Sequence, residues 1–195
     1  MTQKGTIFVV SAPSGGGKDT IIGAVKSQDD NLVHAVSATT RKPRNSEIDG
    51  QHYWFMNVDE FKEKVEQGEF MEWAEVHGHF YGTLKADVEK QVKSGRDVVL
   101  ELDIQGARIV KFDDSDVRTI FIVPPSLEVL EKRIRDRGGL QDFEIKTRML
   151  NAEIELKARN EYDYIIMNDV LEDAVKQFKQ ILEEIRKNRQ NLKQG

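Results

Sequence analysis

A glycine-rich loop between an apolar run and a helical pattern constrains the fold of this 195-residue chain more than any other feature. The run Thr6–Val10 is β-branched and aromatic, as in a buried strand, and the apolar spacing from Lys18 onward is helical. The segment Ser11-Ala-Pro-Ser-Gly-Gly-Gly lies between them. Glycines let backbone N–H groups approach a phosphate closely, and the start of the next helix adds a positive dipole. The sequence therefore predicts a loop that binds nucleotide phosphates.

We expect this loop to bind ATP, with Lys18 as a mobile cation for the β- and γ-phosphates. The expected ATP-binding residues of the loop are Ala12, Pro13, Ser14, Gly15, Gly16, Gly17, Lys18, Asp19 and Thr20. In the usual pattern the lysine is followed by a serine or threonine that binds Mg²⁺, whereas here Asp19 follows and Thr20 comes one place later. Asp19 is either an alternative metal ligand or an acid that offsets the helix dipole. Both interpretations stay open.

Strands that alternate with helices along the rest of the chain indicate an α/β protein. Further strands are predicted at Val98–Leu102, Thr119–Val123 and Tyr164–Met167, and helices at Val58–Gln67, Leu127–Arg137, Phe143–Arg159 and Leu171–Leu192. Because the strands are apolar throughout, they favour a parallel sheet covered on both faces. Between Ser37 and about Gly95, short aromatic segments indicate a compact insertion with its own small sheet.

Composition excludes several classes of protein. The formal net charge is −5, which does not favour binding to nucleic acid, and no cysteine is present for a disulfide or a thiolate metal site. The apolar runs are too short to span a membrane, and the first residues lack the apolar segment of a signal peptide. We therefore expect a cytoplasmic protein without membrane or nucleic-acid partners, and its oligomeric state stays open.

Five motifs in order along the chain resemble the guanylate kinases. They are Ser37-Ala-Thr-Thr-Arg41-Lys-Pro-Arg44, Glu47-Ile-Asp-Gly-Gln-His-Tyr53, Glu69-Phe-Met-Glu72-Trp73, Tyr81-Gly-Thr83 and Glu101-Leu-Asp103-Ile-Gln-Gly106. The likeness continues through Arg133, Arg137, Arg148 and Asn168-Asp169, so it covers nearly the whole chain. It implies a three-layer P-loop NTPase fold with a parallel core sheet (1–36, 98–130 and 150–195), an inserted β-rich GMP-binding subdomain (37–97) and a mobile helical lid (131–149).

The resemblance implies transfer of the γ-phosphate of ATP to GMP or dGMP, giving ADP and GDP or dGDP. It assigns GMP binding to Ser37, Arg41, Arg44, Tyr53, Glu72, Tyr81, Thr83 and Asp103. The chemistry agrees, because two arginines can bind a dianionic phosphate bidentately. The Glu72 carboxylate can accept from the N1–H and the exocyclic amine of guanine, a pair of donors that adenine lacks.

The resemblance also supplies the catalytic residues and the cofactor. The implied catalytic residues are Lys18, Arg41, Arg133, Arg137 and Arg148, and Asn168 matches a position near the adenine of ATP. Mg²⁺ is the expected cofactor, with Asp19 and Glu101 as candidate ligands.

Two other functions fit parts of the same pattern. An aspartate after the loop lysine also resembles the ribose bisphosphate phosphokinases, although these enzymes do not need a guanine reader at Glu72. Guanylate-kinase-like binding modules keep the fold without the phosphate loop, which this chain retains. Structural roles are open for single residues, since Tyr53 and Tyr81 could form the core of the small sheet, and for Trp73 we prefer that role.

Overall fold

The computed structural model describes residues 3–76, 78–113 and 116–191. Nine strands, seven α-helices and one 3₁₀ helix occur within these ranges. The strands are β1 (Ile7–Ser11), β2 (Leu32–His34), β3 (Ser37–Thr39), β4 (Trp54–Phe55), β5 (Phe70–Val76), β6 (His79–Leu84), β7 (Asp97–Glu101), β8 (Arg118–Val123) and β9 (Tyr164–Met167). The helices are α1 (Lys18–Lys26), α2 (Val58–Glu66), α3 (Lys85–Lys93), α4 (Ile104–Asp113), α5 (Leu127–Asp136), α6 (Asp142–Lys157), the 3₁₀ helix (Ala158–Glu161) and α7 (Leu171–Asn191).

Five strands form the core sheet in the order β2-β7-β1-β8-β9. The pairs β2–β7 and β8–β9 are parallel, with Val33 opposite Val98 and Phe121 opposite Ile165. Every residue of β1 is buried, as a continuous apolar strand inside a parallel sheet requires. The predicted α/β class with a parallel core sheet is confirmed.

A separate four-stranded sheet has the order β4-β3-β6-β5, in which β6 runs antiparallel to both β3 and β5. Its apolar face packs on α2, where Phe61 is fully buried and stacks on Phe70 at 4.4 Å between ring centroids. Trp73 only borders this core, because 45 % of it is exposed, although its ring meets Phe61 edge-on. The prediction of a core role for Trp73 is therefore wrong.

The chain divides into two compact units. The first unit joins the chain up to Val9 with Asn31–Arg118, and the second joins Val10–Asp30 with the chain from Thr119 onward. The first unit contains the four-stranded sheet, and the second contains the glycine loop and α5 to α7. The finer division into core, GMP-binding subdomain and lid stays a prediction, as does the mobility of the lid.

Helices α5 and α6 pack together in the second unit around a small apolar cluster formed by Leu130, Ile134, Ile145 and Ala152. The Ser126 hydroxyl caps α5 by accepting from the Val129 N–H at 3.3 Å. A glycine with φ of +69°, Gly138, follows the end of the helix, as is common after a helix C-terminus. These features place the arginines of the two helices beside the glycine loop of the same unit.

None of the helices in the described ranges has both the length and the apolar composition needed to cross a membrane. The core strands β1, β7, β8 and β9 and the long helices of the second unit lie within a residue or two of their predicted limits. In contrast, β2, α3 and α4 were not predicted.

Candidate functional site

The glycine loop between β1 and α1 has a backbone that only glycine adopts readily. Gly15 and Gly17 both have φ of +88°, in the left-handed region that β-carbons disfavour. The Gly16 N–H donates to the Pro13 carbonyl at 2.7 Å, which closes a tight turn. Gly17 occupies the position before α1, so the N–H groups of the first helical turn follow the loop directly. This arrangement suits a bound phosphate.

Asn168 holds the loop from the end of β9. Its side-chain amide donates to the Gly16 carbonyl at 2.7 Å, and the residue is buried. A β-carbon on Gly17 would collide with this amide, so a glycine is required there. The main-chain carbonyl of Asn168 in turn accepts a hydrogen bond from the Arg133 guanidinium at 3.0 Å. The position of Asn168 near the adenine of ATP stays a prediction. In this structure its contacts hold the phosphate loop and one arginine.

Three arginines lie near the loop in the second unit: Arg133 in α5, Arg137 directly after α5, and Arg148 in α6. The second terminal nitrogen of Arg133, Nη1, is buried and has no hydrogen-bond partner. Arg148 donates to the Ser14 hydroxyl at 3.3 Å. Arg137 and Arg148 line a cavity of about 150 Å³ whose wall includes Gly15. A buried cationic nitrogen without a partner is costly, which suggests an anion as its missing partner.

The unusual Asp19 lies in the first turn of α1 and pairs with Lys18 at 2.9 Å between Oδ1 and Nζ. Its side chain is 78 % exposed, and Thr20 is exposed as well. The position agrees with a dipole-offsetting acid, and the exposed carboxylate is also open to a cation, so the geometry is compatible with both interpretations. Among the described residues, no group of three or more His, Asp or Glu side chains is gathered for metal binding.

In the first unit, one face of the small sheet collects polar residues because of an irregularity in β5. Phe70 lies opposite Leu84 and Glu72 opposite Thr83, so one extra residue is inserted between them. Without this bulge, Glu72 would share the apolar face of Phe70. Ser37 also lies opposite Thr83, on the neighbouring strand. The bulge therefore brings Ser37, Glu72 and Thr83 to the same face.

The Glu72 carboxylate is held in place by its neighbours. The Thr83 hydroxyl, itself buried, donates to Glu72 Oε1 at 2.7 Å. Burial raises the pKa of the Glu72 carboxyl, the hydrogen bond from Thr83 lowers it in part, and nearby Asp103 raises it further. The Asp103 side chain accepts from the Gly106 N–H at 2.8 Å and thereby caps α4. A β-carbon on Gly106 would lie 3.5 Å from Glu72 Oε2, so the start of α4 borders this carboxylate closely.

Arg41 forms a bidentate ion pair with Glu47, a residue to which sequence reasoning gave no role. The two guanidinium–carboxylate distances are 2.8 and 2.9 Å, and the same carboxylate accepts from the Arg44 N–H at 2.8 Å. The pKa of Glu47 is lowered to about 2, mainly by the hydrogen bonds from the Arg41 guanidinium and next by the bond from the Arg44 N–H. The sequence pattern that could have indicated this pair is Glu47, an acid three residues after Arg44 in a polar loop. The same spacing is equally typical of an ordinary turn.

Two tyrosines complete this cluster. Tyr53 and Tyr81 meet edge to face at 6.1 Å, and the Arg41 guanidinium carbon lies 5.3 Å from the Tyr53 ring centre. Both tyrosines are partly exposed rather than core residues. Arg44 is exposed. The structure thus brings Arg41, Tyr53 and Tyr81 together within the first unit.

Glu101, a predicted metal ligand, ends β7 and pairs with His34 at 2.9 Å between Oε1 and Nε2. One carboxylate oxygen is therefore engaged by the imidazole on the neighbouring parallel strand.

A glycine loop between the first strand of a parallel sheet and the following helix defines the class of P-loop proteins. The chain belongs to the guanylate kinase family, whose model matches residues 4–185. It is 47 % identical over 173 residues to the guanylate kinase of Thermotoga maritima, covering 89 % of this chain and 84 % of the relative. The guanylate kinase of Maricaulis maris is also 47 % identical, with 92 % and 83 % covered. A crystal structure of guanylate kinase from Anaplasma phagocytophilum superposes with a TM-score of 0.72 at 33 % identity, covering 94 % of this chain and 87 % of that one.

The two carboxyls of the first unit should titrate on opposite sides of their ordinary pKa of 4.5. We expect Glu47 to protonate near pH 2 and Glu72 above 4.5, measured by carboxyl-carbon NMR across an acid titration. The Arg41–Glu47 pair therefore adds stability above pH 4.5 that is lost as the pH falls through about 2.

An Arg41→Ala variant is the matched control, because it removes the cation that lowers the pKa of Glu47 and leaves Glu72 untouched. Glu47 should then titrate closer to its ordinary value. Two wild-type carboxyls that both titrate at 4.5 would contradict the geometry of the pair and of the buried carboxylate.

Proposed function

We propose that the protein transfers the γ-phosphate of ATP to GMP, and to dGMP in the same way, releasing ADP and GDP or dGDP. Membership of the guanylate kinase family agrees with this reaction. The observation that carries the proposal is Glu72, turned by a bulge onto the polar face of the small sheet and held there by Thr83. A buried carboxylate contributes little to packing, but at this position it can accept hydrogen bonds from guanine.

The second unit binds ATP in this proposal. The loop N–H groups and Lys18 contact its β- and γ-phosphates, and the helix dipole of α1 adds positive potential. Arg133 Nη1, which is buried without a partner, takes an oxygen of the triphosphate. Arg137 and Arg148, which border the loop cavity, neutralise charge on the transferring group.

The first unit binds the phosphate of GMP. Arg41 and Arg44 supply guanidinium donors, and the hydroxyls of Tyr53 and Tyr81 supply two more. Glu47 is a positioning residue that holds the Arg41 guanidinium flat and in place before the substrate arrives. Since both nitrogens that pair with Glu47 are engaged, GMP either shares the guanidinium edge or displaces the carboxylate.

The guanine base is read by hydrogen bonds to the polar face of the small sheet. Its N1–H and exocyclic amine donate to Glu72, and Ser37, Thr83 and Asp103 supply the remaining contacts. Because burial disfavours the charged Glu72, two donors from guanine stabilise it, whereas adenine lacks this pair of donors and would leave the carboxylate with the Thr83 hydroxyl alone. Strong discrimination against AMP follows.

Transfer needs positioning and neutralisation of charge more than acid–base chemistry. An oxygen of the GMP phosphate, already anionic, forms a bond to the γ-phosphorus while the bond from that phosphorus to the bridging oxygen breaks. ADP leaves with the bonding electrons, and no proton has to be removed. The charge that spreads over the transferring oxygens is stabilised by Lys18, Arg41, Arg133, Arg137 and Arg148.

The residues present are suitable for Mg²⁺ as the cofactor of ATP. Mg²⁺ prefers oxygen ligands and binds through one or two carboxylates together with substrate phosphates, so a preformed cluster of acids is not needed. Asp19 offers an exposed carboxylate at the start of α1. Glu101, at the end of β7, is the second candidate ligand. When bound, the ion would neutralise phosphate charge.

The cytoplasmic location stays a prediction.

The acceptor defines the activity, so the test compares acceptors. With ATP as donor, GMP and dGMP should be phosphorylated with kcat/KM values at least about a thousandfold above that of AMP, as expected for a site whose buried polar groups AMP leaves unpaired. Ribose 1,5-bisphosphate, the acceptor of the related phosphokinases, should not react. Equal rates for GMP and AMP, or no transfer to any acceptor, would refute the proposal; the latter would favour a binding module.

Asp19→Ser restores the usual loop pattern and tests the role of the acid. If Asp19 binds the metal, we expect the Mg²⁺ concentration for half-maximal rate to change by about tenfold, because a charged ligand becomes a neutral one. Asp136→Ser is the control, since this exposed acid lies at the end of α5 rather than in the loop. An unchanged Mg²⁺ profile would assign Asp19 to the helix dipole instead.

A further inference from the structure

Helix α6 carries a stripe of exposed apolar side chains opposite the face that it buries. It packs on α5 through Ile145 and Ala152. On the opposite face, Phe143, Leu150 and Ile154 are 65 %, 62 % and 64 % exposed, the highest values among the large apolar side chains of the described ranges. Isolated apolar residues on a surface are ordinary, but a contiguous row on one helix face indicates an interaction surface.

The spacing of this stripe is that of a helix-pairing surface. Phe143, Thr147, Leu150 and Ile154 follow one another at intervals of four, three and four residues, which is the a/d spacing of a coiled coil. The Thr147 hydroxyl donates to the Phe143 carbonyl at 2.9 Å, so its polar group is satisfied within its own helix. The stripe therefore presents apolar surface along most of α6, and it fits a second helix better than a flat surface.

The charges beside the stripe favour a second copy of α6 in the opposite direction. Lys146 and Glu153 are exposed and lie on the same flank, each directly before a stripe position. When two such helices cross antiparallel, Lys146 of each lies beside Glu153 of the other, which gives two opposite-charge pairs. A parallel pair would instead place Lys146 beside the neutral Asn151. The surface is thus complementary to itself, as a twofold interface requires.

We propose that two copies of this protein associate through α6 as a symmetric antiparallel pair. Phe143 packs on Ile154 of the second copy, and Leu150 packs beside Thr147 of the second copy. The helix has 16 residues and is about 24 Å long, so the contact is smaller than the roughly 1,200 Å² of a standard interface. The dimer therefore dissociates on dilution. This association does not depend on the proposed reaction.

Sedimentation velocity over a wide range of protein concentrations tests the stripe. The wild-type chain should shift from monomer to dimer as the concentration rises, and Leu150→Gln with Ile154→Gln should raise the Kd about a hundredfold, because each loss occurs twice. Lys62→Glu, an exposed change on α2, is the control and should leave the Kd unchanged. The thermal unfolding midpoint should stay the same in all variants, since every altered side chain is exposed.

A mixing experiment tests the antiparallel direction. Lys146→Glu and Glu153→Lys should each weaken self-association about tenfold, because each replaces two opposite pairs with two like pairs. An equimolar mixture of the two variants recreates two opposite pairs and should form a heterodimer that binds tighter than either variant alone. A wild-type chain that stays monomeric at every concentration would overturn the proposal, as would a mixture that associates no better than its components.

Discussion

The hydrogen bond between Thr83 and Glu72 fixes the chemistry of the small sheet. It exists because one extra residue in β5 turns Glu72 away from the apolar face and toward Thr83. Gly82 makes this possible, since a β-carbon there would collide with the Glu72 carbonyl and with the Phe70 ring. A carboxylate buried in this way needs more donors than the Thr83 hydroxyl alone, and the proposed guanine base provides two. Packing and recognition thus depend on the same local irregularity.

The phosphate loop of the second unit follows a comparable logic. Its unusual backbone is fixed by one buried amide, Asn168, which also orients Arg133 through its carbonyl. The loop and the arginine are therefore coupled before any nucleotide binds. This preorganisation leaves Nη1 of Arg133 buried without a hydrogen-bond partner, which is unfavourable. In the proposed complex, an oxygen of the triphosphate accepts from this nitrogen and removes the unfavourable contribution.

Much of the fold was predictable, because four strands of the core sheet are mainly apolar runs and the loop is rich in glycine, whereas the short edge strand β2 carries no such pattern. The order of the motifs also predicted the family. In contrast, α4 begins at a single capping acid, Asp103, which the sequence pattern presented only as a site residue. The bulge in β5 leaves no mark in the sequence, and the ion pair of Arg41 with Glu47 depends on how a polar loop folds back. Trp73 was misassigned because aromatic content alone does not show which residues lie at the edge of a sheet.

The most direct test of the account is the kinetic effect of Glu72→Gln on each substrate separately. The amide keeps the size of the side chain but loses the charge and one acceptor, so kcat/KM for GMP should fall by about a hundredfold, the equivalent of roughly 3 kcal/mol. The KM for ATP should stay unchanged, since the second unit is untouched. An equal loss for GMP and ATP, or no loss for GMP, would contradict the role of this carboxylate as the reader of guanine.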